Sequence, residues 1–330
     1  MKFFQSICLA ASLLLASTTG VDASPIASQH YNRHRHLQHR SDNNNNDKAH
    51  DVRRQNSGAK KRLALWEWTL TRDVASYPGI QATAASLSSA PEIAAVMNWD
   101  AWQPTEIAGL PFEPMARVPD SLLGDVWNQL LGSLTNQRTA GVEQLTVYFL
   151  NEPERQGVSA ADAAATWRAS FLPLRTDAQY GGGNATTGTR LVGPAPASDE
   201  AGSAWLQEFM GYLGDDEKPD LLGVHYYTTQ DGAAADEVAA AQAYIQGQSA
   251  AYGGLPVIVS EIASTSRDPA VVDAFTRQMA QWLDEQDWVA QYGFFGMSRA
   301  VADDFVSPAA QLMDADGNLT PLGLFYAGLE

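Results

Sequence analysis

The chain has 330 residues, 45% of them hydrophobic and 18% charged, with a formal net charge of −17 at pH 7. Residues 63–330 hold 11 basic and 34 acidic residues, a net charge of −23, and such an acidic domain repels nucleic acid and anionic membranes. A neutral partner such as a polysaccharide remains compatible with this charge.

The first 23 residues predict a signal peptide. Lys2 supplies the positive charge, Ile7–Leu15 form an apolar run too short to span a bilayer, and Val21–Ala23 offer a small-residue cleavage site. The only cysteine, Cys8, lies in this segment, so we expect a mature protein without disulfides, held together by its core. We therefore expect a secreted protein, extracellular or in the cell wall.

Residues 24–62 predict a disordered propeptide. They hold five of the six histidines and the Asn43–Asn46 run, and they contain too few apolar residues to offset the entropy of ordering. The pairs Arg53-Arg54 and Lys61-Arg62 indicate trimming by a kexin-like protease, and the second pair directly precedes the first predicted strand. An untrimmed disordered arm and a histidine-rich metal-binding tract are the alternatives.

Residues 63–330 predict a single α/β catalytic domain. Eight apolar runs are typical of buried parallel strands: Leu63–Trp68, Ile93–Trp99, Phe112–Val118, Leu145–Leu150, Thr189–Gly193, Leu221–Tyr227, Pro256–Ser260 and Val289–Phe295. Helical patterns separate most of them, and the length is near the ~250 residues of a (β/α)₈ TIM barrel. Asp100–Pro111 has no helical pattern, so one regular helix between strands 2 and 3 is expected to be missing. A doubly wound open sheet is the alternative, although its Gly-rich phosphate turn is absent.

Three helices have clear predicted starts. Ser159–Asp162 forms a capping box before a helix through Trp167 and Phe171. Asp268-Pro269 and Thr320-Pro321 each place proline at the first helical position, after a capping side chain.

Two predicted strands end in a glutamate. Glu152 follows the fourth strand within Asn151-Glu152-Pro153, and Glu261 directly follows the seventh. A carboxylate is costly to bury, and barrel enzymes carry their catalytic groups at the C-terminal ends of strands. A helix cap or a salt bridge is the structural alternative for either glutamate alone, whereas the pair favours a two-carboxylate active site.

Side-chain alternation along the strands gives the expected direction of both glutamates. It places Glu152 on the face of Tyr148 and Leu150, and Glu261 on the face of Val257 and Val259. We therefore expect both carboxylates to continue rows that point into the barrel.

An ordered set of motifs extends over most of residues 63–330: Val96-Met97-Asn98-Trp99, Glu113-Pro114-Met115, Phe149-Leu150-Asn151-Glu152-Pro153-Glu154, Val192-Gly193-Pro194-Ala195, Trp205-Leu206 with Phe209, Val224-His225-Tyr226-Tyr227 and Ser260-Glu261-Ile262-Ala263. With these motifs the chain resembles glycoside hydrolase family 128, the clan A endo-β-1,3-glucanases with a glycosyl hydrolase catalytic core.

The resemblance implies a (β/α)₈ barrel that needs no cofactor and hydrolyses β-1,3-glucan by a retaining mechanism. Glu152 would be the general acid/base and Glu261 the nucleophile. Such chemistry needs two carboxyls ~5–5.5 Å apart, a raised pKa for the acid and hydrogen-bond donors beside the nucleophile. Tyr227 is expected to be one of these donors, and Asn151 is expected to bind the sugar 2-hydroxyl.

Three further residues are candidates for the substrate site. His225 is the only histidine of residues 63–330, and it either supports the site from behind or contacts sugar. Without a second histidine or a cysteine, we expect no metal site. Trp66 and Trp99, near the ends of the first two strands, are expected to stack on sugar rings. Three tryptophans on helical stretches are expected to be packing residues: Trp167, Trp205 and Trp282.

Departures from the family pattern leave the linkage and the endo or exo action open. Ser260 stands where threonine is common, Tyr226 where tryptophan is common, and Phe294-Phe295 where a tryptophan often occurs. Another clan A enzyme acting on β-1,4-glucan or mannan is an alternative, as is a wall-associated glucan-binding protein with little turnover. We expect a monomeric glycoprotein with sequons at Asn184 and Asn318.

Overall fold

Eight parallel strands surround a common interior in the computed structural model, which describes residues 60–180, 188–301 and 304–330. They are β1 (Arg62–Leu65), β2 (Ile93–Met97), β3 (Met115–Ala116), β4 (Leu145–Phe149), β5 (Thr189–Val192), β6 (Leu222–Tyr227), β7 (Val257–Ala263) and β8 (Val289–Phe294).

The strands form two parallel sheets that meet at both edges. One sheet has the order β2-β1-β8-β7-β6 and the other β3-β4-β5. Parallel bridges between Val96 and Phe112 and between Val192 and Leu221 join β2 to the β3 side and β5 to the β6 side. The predicted (β/α)₈ barrel is therefore confirmed.

Helices lie between most strands and after the last one. They are α1 (Trp68–Asp73), α2 (Pro78–Ser89), α3 (Gly124–Thr139), α4 (Ala160–Thr166), α5 (Glu200–Tyr212), α6 (Ala234–Ala251), α7 (Pro269–Glu285) and α8 (Pro321–Ala327). The helix α4 continues as a π-helical turn over Trp167–Phe171. Shorter 3₁₀ turns occupy Thr105–Ile107, Pro119–Leu122, Pro153–Gln156, Leu172–Arg175, Ala178–Tyr180 and Pro308–Ala310. Between β2 and β3, a stretch described throughout, the turn Thr105–Ile107 takes the place of a barrel helix, as the sequence predicted.

The three predicted helix starts are confirmed by their capping contacts. The Ser159 hydroxyl accepts a hydrogen bond from the Asp162 amide at 3.1 Å. Asp268 caps α7 through the Ala270 amide at 2.9 Å, and Thr320 caps α8 through the Gly323 amide at 3.1 Å. Each cap satisfies an amide that the first helical turn leaves without a partner.

Two apolar layers hold the barrel together. The inner layer is formed by side chains from inside the ring of strands, including Leu65, Met97, Tyr148 and Ile258. A much larger layer lies between the strands and the helices. The helical tryptophans predicted to pack do so in this outer layer: Trp167 and Trp205 are buried, and Trp282 is half-buried.

The described domain begins before Leu63. Strand β1 starts at Arg62, and the side chains of Lys61 and Arg62 are both buried. The predicted signal peptide, Cys8 and the Arg53-Arg54 pair lie outside the described residues, as does Asn184.

No helix in the described ranges combines enough length with enough apolar character to cross a membrane.

Candidate active site

Two carboxylates meet at the C-terminal end of the barrel. Glu152 follows β4, and Glu261 lies within β7, which runs three residues further than the sequence predicted. One carboxylate oxygen of Glu152 and one of Glu261 lie within 4.8 Å of each other. Glu152 keeps part of its side chain exposed, whereas Glu261 is buried. One acid thus faces the opening while the other is held inside it.

Two aromatic side chains donate hydrogen bonds to Glu261. The indole N–H of Trp99 donates to Oε1 at 2.7 Å, and the Tyr227 hydroxyl donates to Oε2 at 2.6 Å. Each carboxylate oxygen therefore has its own fixed donor. Such donors favour the ionised form of the carboxyl and hold its plane in one orientation.

His225 lies between the two carboxylates. Its Nδ1 is 3.0 Å from Oε1 of Glu152, and its Nε2 is 3.5 Å from Oε1 of Glu261. The ring is fully buried, so no face is open to a sugar, and the predicted direct sugar contact is wrong for this structure. His225 instead supports the glutamates from behind, which was the other predicted role.

The three groups shift one another's proton affinity. Burial alone would lower the pKa of His225, but the carboxylates of Glu261 and Glu152 outweigh it and raise that pKa. Burial would raise the pKa of Glu152, but the hydrogen bond and charge of His225 outweigh it and lower that pKa. Burial raises the pKa of Glu261, although His225 and the two aromatic donors oppose the rise. Between His225 and Glu152, these directions favour the proton on His225.

These directions differ from the expectation of an acid with a raised pKa. The difference arises because the sequence argument placed no cation beside Glu152, whereas the fold sets an imidazole 3.0 Å from it. A carboxylate that accepts a hydrogen bond from a charged neighbour titrates at lower pH.

Irregular backbone, rather than regular strand alternation, aims Glu261 inward. Val257 and Val259 belong to the outer layer and Ile258 to the inner layer, so regular alternation would point Glu261 outward. The pairing of β7 with β8 shifts register between Val259 and Ile262, and this irregularity turns the intervening residues. The predicted inward direction of Glu261 is correct, but the side-chain alternation from which it was predicted does not hold in this strand.

Backbone strain is concentrated at the same place. Three non-glycine residues of the described chain have positive φ: Trp99 at 60°, Leu150 at 52° and Glu152 at 41°. Leu150 packs in the outer layer instead of sharing the inward face of Tyr148, so the alternation argument also fails after β4. Such conformations are costly and cluster at functional sites. Here they bring Glu152 and the Trp99 indole to the mouth of the barrel.

Asn151 is buried immediately beside Glu152. Its amide donates to the Arg117 carbonyl at 3.0 Å, and the residue forms a bridge with Ala195. The side-chain Oδ1 is buried without a hydrogen-bond partner among the described residues. The expectation that Asn151 binds the sugar 2-hydroxyl stays a prediction.

Trp66 does not line the opening. Its ring is fully buried in the outer layer, and its indole N–H donates to Oε1 of Glu106 at 2.8 Å. The prediction that Trp66 stacks on sugar is therefore wrong for this structure. Leu65 occupies the inner layer, so its neighbour Trp66 points toward the helices.

An aromatic wall continues outward from Tyr227, and we define it as Trp99, Phe295, Tyr227 and Phe305. The ring centroids of Trp99 and Phe295 are 5.6 Å apart, those of Tyr227 and Phe295 are 6.4 Å apart, and those of Tyr227 and Phe305 are 5.2 Å apart. The sequence reasoning missed Phe305, which follows β8 in an acidic loop. The available signal was an isolated aromatic residue in a polar segment after a barrel strand.

The described residues also include one cluster with the composition of a metal site, namely Glu152, His225 and Glu261. Both oxygens of Glu261 already accept hydrogen bonds from Trp99 and Tyr227. That arrangement is typical of a carboxylate held by N–H and O–H donors.

Comparisons with known proteins show a matching family and several similar solved structures. The family described as "Glycosyl hydrolase catalytic core" matches residues 76–326. No curated protein sequence matches the chain.

Several solved structures are similar to the chain. A family 128 (subgroup VI) exo-β-1,3-glucanase from Aureobasidium namibiae is 36% identical with a TM-score of 0.67, and the match covers 82% of this chain and 96% of that one. A subgroup V exo-β-1,3-glucanase from Cryptococcus neoformans is 26% identical with a TM-score of 0.58, covering 81% and 98%. A subgroup IV endo-β-1,3-glucanase from Lentinula edodes is 22% identical with a TM-score of 0.62, covering 81% and 99%.

Proposed function

Because the chain is a glycoside hydrolase belonging to family 128, the β-1,3-glucanases, we propose that it cleaves β-1,3-glucan with retention of anomeric configuration. Glu152 is the general acid/base and Glu261 the nucleophile in this proposal. The observation that carries it is the pair of carboxylate oxygens within 4.8 Å at the C-terminal end of the barrel.

The carboxylate separation supports retention. Retaining enzymes hold the two carboxyls ~5–5.5 Å apart so that one can attack the anomeric carbon directly, whereas inverting enzymes leave ~6.5–9.5 Å for a water molecule. Glu261 attacks the anomeric carbon as the glycosidic C–O bond breaks, and Glu152 gives its proton to the leaving oxygen. Water then loses a proton to Glu152 and attacks the same carbon, which releases Glu261.

His225 supplies the proton that Glu152 needs. In the open site the ion pair of His225 with Glu152 is favoured by the raised pKa of one and the lowered pKa of the other. A bound glucan removes water from the exposed part of Glu152, and separated charges are disfavoured in dry surroundings. The proton then moves from Nδ1 to Glu152, and Glu261 keeps its charge through the donors Trp99 and Tyr227.

Similarity to the Aureobasidium enzyme supports exo action. At 36% identity over 96% of that chain, it is an exo-β-1,3-glucanase of the same family. Exo action predicts that the first turnovers of laminarihexaose yield one constant pair of products, a short sugar of fixed length and the remainder of the chain, whereas endo action yields several pairs.

Two experiments test the reaction itself. Glu152→Gln and Glu261→Gln are each expected to abolish release of reducing ends from laminarin, and full activity of either variant contradicts the assignment. NMR of the first product is expected to show the β-anomer, and an α-anomer would contradict retention.

The proposal includes export. The charged and then apolar pattern of residues 1–23 supports it. The N-terminal sequence of protein recovered from culture medium tests this, and retention of Met1 on that protein contradicts it.

A further inference from the structure

We propose that Phe305 is a substrate-binding residue that stacks on a glucosyl unit beside Glu261, an inference that rests on the proposed β-1,3-glucanase function. Phe305 is 39% exposed, and its ring packs against that of Tyr227, whose hydroxyl donates to Glu261, the proposed nucleophile. A single exposed phenylalanine is ordinary on a protein surface, so the proposal depends on where Phe305 lies and on how it is held there.

The backbone on both sides of Phe305 is held in place. The guanidinium of Arg267 donates to the Val306 carbonyl at 3.0 Å and also to the Asp304 carbonyl. Arg267 follows β7, the strand that carries Glu261, so the loop after β8 is tied to the nucleophile's own strand. Phe305 is therefore a positioned ring and not a loose surface side chain.

The sugar chemistry matches the exposed ring. A β-glucosyl unit presents apolar C–H faces that pack on aromatic faces. On the scale of an aromatic pair, about 0.5–1.5 kcal/mol, such a contact corresponds to about a 2- to 10-fold change in binding. The buried Trp66 cannot supply such a face, whereas Phe305 extends the aromatic wall outward from Tyr227. A glucan bound at the carboxylates would thus meet Phe305 as the next apolar surface.

The test measures binding separately from turnover. In the Glu261→Gln background, Phe305→Ala is expected to weaken laminaritriose binding about 5- to 10-fold by calorimetry, and Phe305→Tyr is expected to bind within about 2-fold of the parent. Phe305→Leu keeps apolar bulk without a ring face and is expected to bind as weakly as the alanine variant. Tyr212→Ala removes an aromatic ring that is 46% exposed on α5, and it is the control expected to change nothing.

Unchanged binding in both Phe305→Ala and Phe305→Leu overturns the proposal. In the active enzyme, a fall in kcat with an unchanged KM and a shifted acid limb of the pH profile also overturns it, because Phe305 would then act only through Tyr227. Failure of the proposed function is a different result, in which the parent protein itself neither binds laminaritriose nor hydrolyses laminarin.

A second observation, at the opposite end of the barrel, leads us to infer that Lys61-Arg62 is a structural clamp and not a processing site. Both residues are buried, with 5% and 7% of their surface exposed. The Lys61 ammonium donates to the carbonyls of Asp284 and Gln286 at 2.9 and 2.8 Å. It thereby caps the C-terminal end of α7, where a cation is favourable.

Arg62 performs the same task for α8 and joins the sheet. Its guanidinium pairs with Asp284 at 2.7 Å and donates to the Tyr326 carbonyl at 2.9 Å. Its backbone pairs with Ile93 of β2 and Tyr292 of β8. A kexin-like protease must bind both basic side chains on an exposed, extended backbone, and here the side chains and the backbone are already engaged.

Incubation of the purified full chain with a kexin-like protease tests the clamp. The expected product retains Lys61-Arg62, and a product that begins at Leu63 overturns the inference. Arg62→Gln is expected to leave the product unchanged but to lower the melting temperature by on the order of 5 °C, because it removes the guanidinium that pairs with Asp284 and with the end of α8. The matched variant Arg54→Gln removes the other dibasic pair and is expected to leave the melting temperature unchanged. If the wild-type chain and Arg54→Gln are cleaved but Arg62→Gln is not, the inference is overturned.

Discussion

Removal of the Tyr227 hydroxyl is expected to weaken the nucleophile while leaving the aromatic wall in place. The hydroxyl donates to Oε2 of Glu261 at 2.6 Å, and a hydrogen bond to a charged group contributes about 1.5–3 kcal/mol. Loss of that donor disfavours the ionised carboxyl, so Tyr227→Phe raises the pKa of Glu261 further above its already raised value. The acid limb of the kcat/KM profile therefore moves to higher pH, and kcat at the optimum falls about 10- to 100-fold.

The assay is release of reducing ends from laminarin oligosaccharides between pH 3 and pH 8. Trp99→Phe removes the other donor to Glu261, at 2.7 Å, and is the matched comparison expected to shift the acid limb in the same direction. Phe at position 227 keeps the ring contacts with Phe295 and Phe305. A Tyr227→Phe profile that superimposes on the wild-type profile refutes the reasoning that these donors hold the nucleophile ionised.

In His225→Asn, the alkaline limb of the pH–activity profile is expected to move to lower pH from its wild-type position above pH ~6.5, because the limb then reports the carboxyl of Glu152 alone. An unchanged alkaline limb in the same assay contradicts this. Trp66→Phe is expected to cost about 1–3 kcal/mol of unfolding free energy in urea without changing KM, since it removes an indole donor to half-buried Glu106 and shrinks a buried ring that lies away from the opening, and an increased KM argues against it. Burial raises the pKa of Glu67 to about 7, so wild-type stability falls as pH rises from about 4.5 through 7. Glu67→Gln does not lose stability in this way. Its free energy of unfolding is expected to exceed that of the wild type by near zero at pH 4 and by roughly 1–2 kcal/mol at pH 8, after allowance for partial exposure. A difference in urea unfolding that stays constant with pH contradicts this.

The sequence predicted the barrel and the meeting of the two glutamates because both depend on strong local signals. Apolar runs bounded by helix patterns define parallel strands, and parallel strands place their C-terminal ends together. Glu152 follows such a run after Asn151, and Glu261 follows one directly, so their proximity required only the fold class and not the contacts between side chains.

The orientation of the site residues could not be predicted in the same way. Alternation applies only to regular strands, whereas Glu261 is turned by a register shift in β7 and Glu152 follows a leucine with φ of 52°. No pattern of neighbouring residues in the sequence indicates the register shift or the positive φ. The position of Trp66, by contrast, follows from alternation once Leu65 is known to point into the barrel.

Contacts between distant segments of the chain could not be predicted from the sequence either. Phe305 reaches Tyr227 from a loop 78 residues further along the chain, and Lys61 is buried only because the end of α7 supplies carbonyl partners. In isolation, an exposed aromatic and a dibasic pair have several possible roles. Only the packed structure selects among them.

The central claim is that Glu261 forms a covalent bond to the sugar while Glu152 handles the proton. Incubation with a 2-deoxy-2-fluoro-β-laminaribiosyl fluoride, followed by peptide mass spectrometry, tests it most directly, since slow turnover traps the glycosyl-enzyme of a retaining enzyme. We predict one added laminaribiosyl group, on the peptide that contains Glu261 and on that carboxylate. A label on Glu152 or on any other residue, or turnover of the fluoride with no label at all, contradicts the claim.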